Sequence, residues 1–254
     1  MRSALLALCL LLSAPLADAA GLNLAWNQAL SEGGVNAMKF DCASDAGFSE
    51  LVGTFMANQP HPAFIGCEIL LDVQTESTSL PDWWQFNTEG SCRQYSANPS
   101  YDFRGLRQTV CSSPYEGSVL GPIANYVTSA RPRPDFQPGP NVARFFIGVV
   151  HLPGTTSLSA GQEYFAFRLA IGHEYSAGAG ACQGCLVPAC LILTEIKVYD
   201  DVPIAPNGQE SPPPSYERIT TVAQGNLVSW QDAGPGCQPT VKNRTWGQLK
   251  SVYR

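Results

Sequence analysis

Alternation of apolar and polar residues with a period of two runs through most of the chain. In the stretch QEYFAFRLAIGH, Phe165, Phe167, Leu169 and Ile171 fall on one side, and Tyr164, Ala166, Arg168 and Ala170 on the other. In GCEILLDVQ, Cys67, Ile69, Leu71 and Val73 share a face opposite Glu68, Asp72 and Gln74. In ACLILTEIKVY, unbroken alternation places Cys190, Ile192, Thr194, Ile196 and Val198 inward, with Glu195, Lys197 and Tyr199 outward. Each pattern predicts a half-buried β-strand. ARFFIGVVHL is apolar on both sides and reads as a central strand. Weaker strands are expected at Phe48–Met56, Asp82–Phe86, Ile123–Thr128, Tyr216–Ala223 and Asn226–Gln231.

Glycine, proline and asparagine punctuate these strands, and almost no helix-period segment separates them. The fold class expected is all-β: an antiparallel β-sandwich, jelly-roll-like or Ig-like, with long loops. The proline-bearing stretches Ser129 to Asn141 and Pro203 to Ser215 are two such loops. After the second, Gly225-Asn226 is the expected turn of a hairpin, and NRTWGQLKSVYR an expected short C-terminal helix capped by Asn243 or Thr245. Residues 20–201 then form the sandwich, 202–215 a Pro-rich spacer, and 216–254 a hairpin and helix that pack back on it.

The first nineteen residues read as a secretory signal peptide: Arg2, an apolar run, then Ala17-Asp18-Ala19 as a cleavage site. The apolar run falls short of the roughly 20 residues that span a bilayer. The mature chain is expected to be soluble, and secreted, extracellular or periplasmic. It keeps eight cysteines: Cys42, Cys67, Cys92, Cys111, Cys182, Cys185, Cys190 and Cys237. An even number in an exported chain predicts a disulfide framework, although eight cysteines allow about a hundred pairings. The pairing expected is Cys42 with Cys67, Cys92 with Cys111, and Cys237 with one of the 182–190 cluster. The same cluster has other readings. CQGC has the spacing of a redox dithiol, but no helix follows it. Cys182, Cys185, Cys190 and Cys237 would suffice for tetrahedral zinc, a site that competes with oxidation outside the cytosol.

Net charge is −6, only 14% of residues are charged and no basic run is present. That composition argues against nucleic acid and anionic membrane surfaces as partners. His61, His151 and His173 form no HExxH motif, and neither a GxSxG elbow nor a phosphate loop appears. Glu68 and Asp72 share one strand face, as a carboxylate pair or simply a solvated surface. Asp200, Asp201 and Asn207 offer oxygen ligands for calcium, but at no EF-hand spacing. Otherwise no cofactor and no catalytic residue is expected. Asn243 begins a formal glycosylation sequon. The adjacent Trp83 and Trp84 would point to opposite sides of a strand, leaving one exposed as a stacking platform.

Two segments carry a resemblance, ACQGCLVPACLIL and NRTWGQLKSVYR. Together they resemble exported β-rich proteins of environmental bacteria with a CxxCxxxxC segment, a TWGxxKxxYR-like end and no known activity. The resemblance implies export, a β-rich fold and a terminal segment that docks or sorts, and it carries over no catalytic residue. The function expected is a non-catalytic exported binding or structural module, with carbohydrate or a cell-surface protein as ligand. The alternatives are a secreted glycosidase-like hydrolase on the same scaffold and a subunit of an extracellular layer or filament.

Overall fold

The computed structural model describes residues 20–115, 119–151, 156–201 and 215–233. The expected C-terminal helix, Asn243 and Cys237 lie outside them. Thirteen strands appear among the described residues: β1 (Gly21–Trp26), β2 (Ala37–Met38), β3 (Phe48–Met56), β4 (His61–Thr75), β5 (Ala97–Ser100), β6 (Val119–Thr128), β7 (Val142–His151), β8 (Thr156–Leu158), β9 (Glu163–Gly172), β10 (Ala189–Asp200), β11 (Tyr216–Ile219), β12 (Val222–Gly225) and β13 (Leu227–Trp230). The smaller sheet has the order β12-β1-β3-β9-β5. The larger runs β2-β13-β10-β4-β7-β6, with β11 also on β10 and β8 also on β4. No helix among the described residues is long and apolar enough to cross a membrane.

The two sheets bury a single core between them. Phe165, Phe167, Leu169 and Ile171 face it from β9, and Cys67, Ile69, Leu71 and Val73 from β4, as alternation requires. β7 lies between β4 and β6 and is the internal strand its composition predicts. Both sheets are mixed, because β1 pairs β12 and β13 pairs β2 in parallel. Four of the five tryptophans meet in the core: Trp26, Trp83, Trp84 and Trp230. Phe40 stacks on Trp230 at 3.8 Å between ring centroids.

Two expectations fail here. Gly225-Asn226 is not a hairpin turn. β12 joins β1 in the smaller sheet and β13 joins β10 in the larger, so the chain crosses between sheets at this point. Asn23 Oδ1 accepts the amides of Gln224 and Gly225, and Asn226 exchanges bonds with the backbone of Leu193. These side-chain contacts hold the crossing where a hairpin would have used turn geometry. The other failure is in β10, where the register shifts between Leu193 and Glu195. This bulge changes which residues face inward: Leu191 and Leu193 before it, Ile196 and Val198 after it, all fully buried. Cys190 and Ile192 therefore share the outer side with Glu195, Lys197 and Tyr199. The Thr194 hydroxyl donates to the Leu70 carbonyl at the break.

The cysteines correct the expected pairing. Cys42 bonds Cys185 and Cys92 bonds Cys182, closing loops of 143 and 90 residues in sequence separation. Cys67 and Cys111 are free and buried, and Cys190 is also disulfide-bonded. Cys67 faces the core from the middle of β4, while the half-buried Cys42 is committed to Cys185. The CQGC pair is thus neither a dithiol nor a zinc half-site, because its two sulfurs are committed to different partners. It ties the loop at 182–185 to two separate loops, each bond worth about 5 kcal/mol in the chain-entropy model.

Candidate functional site

Trp83 and Trp84 are both fully buried, which removes the expected stacking platform. Asp82–Trp84 is a turn of 3-10 helix, not a strand. Successive residues there are turned by about 120° instead of 180°, so neighbouring side chains can face the same way. Both indoles enter the core, 4.7 and 5.4 Å from Trp230 between centroids. Trp83 Nε1 donates to Ser176 Oγ, and the buried Arg93 guanidinium lies 3.9 Å over its ring. The segment does line an open cleft of about 370 Å³, with Asp82, Gln85, Thr88, Glu89 and Ser91 on its walls. No aromatic ring lines that cleft.

The histidines sit in three different settings. His151 is buried beside Phe64. His173 Nε2 is 2.7 Å from Ser49 Oγ, and Nδ1 is 3.2 Å from the Ala46 carbonyl. The carbonyl can only accept, so Nδ1 carries the proton and Nε2 receives the serine hydroxyl. That is the order of a nucleophile and its base. Ser49 is only 4% exposed, however, and a substrate carbonyl has no approach to it. His61 lies between two carboxylates, Asp200 at Nδ1 and Glu217 at Nε2. The acids approach opposite nitrogens, so the three groups do not converge on one point. Among the described residues no cluster of three such groups could hold a metal ion. Asp200 is engaged with His61, and Asn207 lies outside the described residues.

Glu68 and Asp72 do share the outer face of β4, but each is bound to a cation. Arg144 grips Asp72 with two guanidinium nitrogens, and Lys197 Nζ reaches Glu68 at 3.0 Å. Neither is placed as a glycosidase acid or nucleophile.

The strongest surface feature is the outer face of the larger sheet around these ion pairs. Strand register sets Tyr199 of β10 beside Gly66 of β4 and Tyr216 of β11. It likewise sets Lys197 beside Glu68 and Arg218. The rings of Tyr199 and Tyr216 are 5.3 Å apart between centroids and inclined at 46°. Tyr216 is 53% exposed. Lys197 Nζ stands 5.4 Å from the Tyr216 ring, and Arg218 Nε donates to Glu195 at 2.6 Å. Burial pushes the Tyr199 hydroxyl well above its usual range, and a bond to Glu68 adds to the shift. The same carboxylate holds the Lys197 ammonium above its ordinary range.

Next to Tyr199 two positions of the sheet carry no side chain. Gly66 adopts φ +155°, and a Cβ there would lie 2.1 Å from the Val149 carbonyl oxygen. Gly148, diagonal to it across the ladder, opens onto empty space. Ile123 and Val150 stand exposed on the far side. This face thus carries two tyrosine rings, two glycines, two exposed apolar side chains and a set of charged groups. Sequence reasoning placed Tyr199 outward but did not single it out. The signal was present, as an aromatic at an outward position of an otherwise polar strand face.

No protein-family model and no curated protein matches the chain, so the roles of these residues rest on geometry alone.

Proposed function

We propose that the protein is an exported, non-catalytic binding module that holds a neutral carbohydrate chain on the outer face of its larger sheet. The observation that carries this reading is the exposed Tyr216 ring paired with Tyr199 beside Glu68, Lys197 and Arg218. Aromatic faces accept the apolar C–H faces of sugar rings, and flanking charged groups bond their hydroxyls. The 46° inclination of the rings suits a single twisting chain better than a flat crystalline surface. A net charge of −6 disfavours anionic ligands. The signal-like N-terminus and the two disulfides support an oxidising destination.

The hydrolase alternative loses its support, because Glu68 and Asp72 are neutralised by Lys197 and Arg144 and Ser49 is enclosed. The filament alternative keeps one observation, the exposed Ile123 on β6, which pairs only with β7 among the described strands. Pro122 on that strand removes a donor from its edge and works against strand-to-strand assembly.

A glycan array probed with the wild type and with Tyr199→Ala and Tyr216→Ala tests the proposal. A signal on uncharged glycans that both variants lose supports it. Absence of any glycan signal, or a signal the variants keep, refutes it.

A further inference from the structure

β11 is four residues long and joins the sheet through β10. Few backbone bonds hold so short an edge strand, and side chains must do the rest. Glu217 does so on the inner side, beside the buried Ile219, and Arg218 bonds Glu195 on the outer side. Glu217 Oε1 accepts the backbone and side-chain amides of Asn58 at 2.8 and 2.6 Å. Its Oε2 lies 2.9 Å from Nε2 of the fully buried His61. The other ring nitrogen, Nδ1, lies 2.8 Å from Oδ2 of Asp200, the last residue of β10. Three segments that are distant in sequence thus meet at one imidazole.

Counting hydrogens fixes what the site holds. A neutral imidazole has one N–H and one lone pair. With a carboxylate oxygen at each nitrogen, one of the two contacts would set lone pair against lone pair. Both are hydrogen bonds only if the ring carries two protons or one acid is protonated. Burial of Glu217 opposes its ionisation, but the Asn58 bonds and His61 outweigh it and hold its carboxyl below the ordinary range. Of the two remaining candidates, the imidazole is far more basic than the Asp200 carboxylate, so the extra proton is assigned to the ring. The other groups packed here leave that assignment alone. The Ala63 amide donates to Asp200, the Asp201 amide donates to the Ala63 carbonyl, and β8, opposite His61 at Leu158, carries no charged side chain.

We propose that the His61 imidazolium is a pH-sensitive latch that docks β11 and thereby positions Tyr216 for its ligand. The proposal rests on the binding face described above and adds its regulation. Glu217 and Tyr216 are consecutive, so undocking the first frees the second from Tyr199. Loss of a ring proton removes one of the two bonds and sets a ring lone pair against a carboxylate oxygen. Acid opens the latch from the other side. Glu217 has a lowered folded value, so its contribution is present above the usual glutamate range and disappears as pH falls through that lowered value. Ligand affinity should pass through a maximum between these limits.

The test uses the intact, isotope-labelled chain and needs no glycan. Long-range proton–nitrogen correlation spectra report both ring nitrogens of His61 against pH, and hydrogen exchange reports the β11 amides, corrected for intrinsic rates. The expected result is a doubly protonated ring at neutral pH. Its titration in base should speed β11 exchange at least about tenfold while β7 stays protected. His61→Gln and Glu217→Gln should each give the fast exchange at neutral pH. A neutral ring at pH 7, a ring that keeps both protons until the whole fold unfolds, or variants with wild-type β11 protection would overturn the latch. Tyr216→Ala separates the two proposals, because it should weaken glycan binding by about tenfold or more and leave β11 protection intact.

Discussion

Glu217 points inward to His61, 2.9 Å from Nε2, while Tyr216, one residue before it, lies open on the outer face. Strand alternation makes one a fastener and the other a contact residue. The buried charge cluster and the exposed ring pair are two sides of the same four-residue strand. Changes at the buried cluster are therefore expected to be felt on the outer face, and the predictions follow from that coupling and from the staples around it.

Tyr216→Ala should weaken glycan binding by about tenfold or more, as expected when an aromatic contact residue is truncated. Because the ring is largely exposed, global stability should change by no more than about 0.5 kcal/mol. Calorimetric titration beside thermal denaturation checks both halves. Tyr199→Phe should have a smaller effect, since it keeps the ring and gives up only the bond to Glu68.

Disulfide mapping of the non-reduced protein should return Cys42–Cys185 and Cys92–Cys182. Cys67 and Cys111 should resist alkylation at pH 8 until denaturant is added. Burial holds the Cys67 thiol at about 12 and pushes that of Cys111 higher still, so neither forms a thiolate in the native state. Replacing Cys92 and Cys182 together by serine should cost about 2–5 kcal/mol in denaturant unfolding.

Glu32 anchors the segment at 109–111 by accepting the Thr109 hydroxyl and the amides of Val110 and Cys111. These bonds, that of Thr109 foremost, lower its carboxyl to about 2. A lowered folded value means stability that is present above the unfolded glutamate range and lost as pH falls toward about 2. Glu32→Gln should therefore destabilise the protein at pH 7. The gap to wild type should narrow steadily between roughly pH 4 and pH 2, as read by urea midpoints.

Arg93 is a buried cation whose guanidinium stacks on Trp83 and donates to the carbonyls of Gly172 and Glu174. Arg93→Ala should cost about 3 kcal/mol or more, since it empties a packed site and strips donors from two carbonyls. Arg93→Lys should recover little, because an ammonium cannot span both carbonyls while lying flat on an indole. Denaturant unfolding of both variants decides this.

Much of the sandwich was legible because alternation with one apolar face has a single physical meaning. Cys67, Ile69, Leu71 and Val73 could hardly have pointed elsewhere. Alternation says nothing about where it breaks. The bulge at Thr194 reverses the first half of β10, and the 3-10 turn at Asp82–Trp84 brings two indoles inward together. Both are settled by tertiary packing, which no local pattern encodes. The disulfide partners and the His61 cluster join residues 90 to 156 positions apart, and only the assembled sheets bring them into contact. The binding face was half visible. Tyr199, Lys197 and Glu68 were assigned outward positions, but Tyr216 joins them only through the β10–β11 pairing across the proline-rich segment.

The most direct test of the binding face is a nuclear magnetic resonance titration of the labelled protein with a soluble, uncharged oligosaccharide selected on the array. The tyrosine face predicts shift changes confined to Gly66–Leu70, Gly148–Val150, Lys197–Tyr199 and Tyr216–Arg218. Changes centred instead on the polar cleft at 82–92, or no changes at saturating sugar, would contradict it.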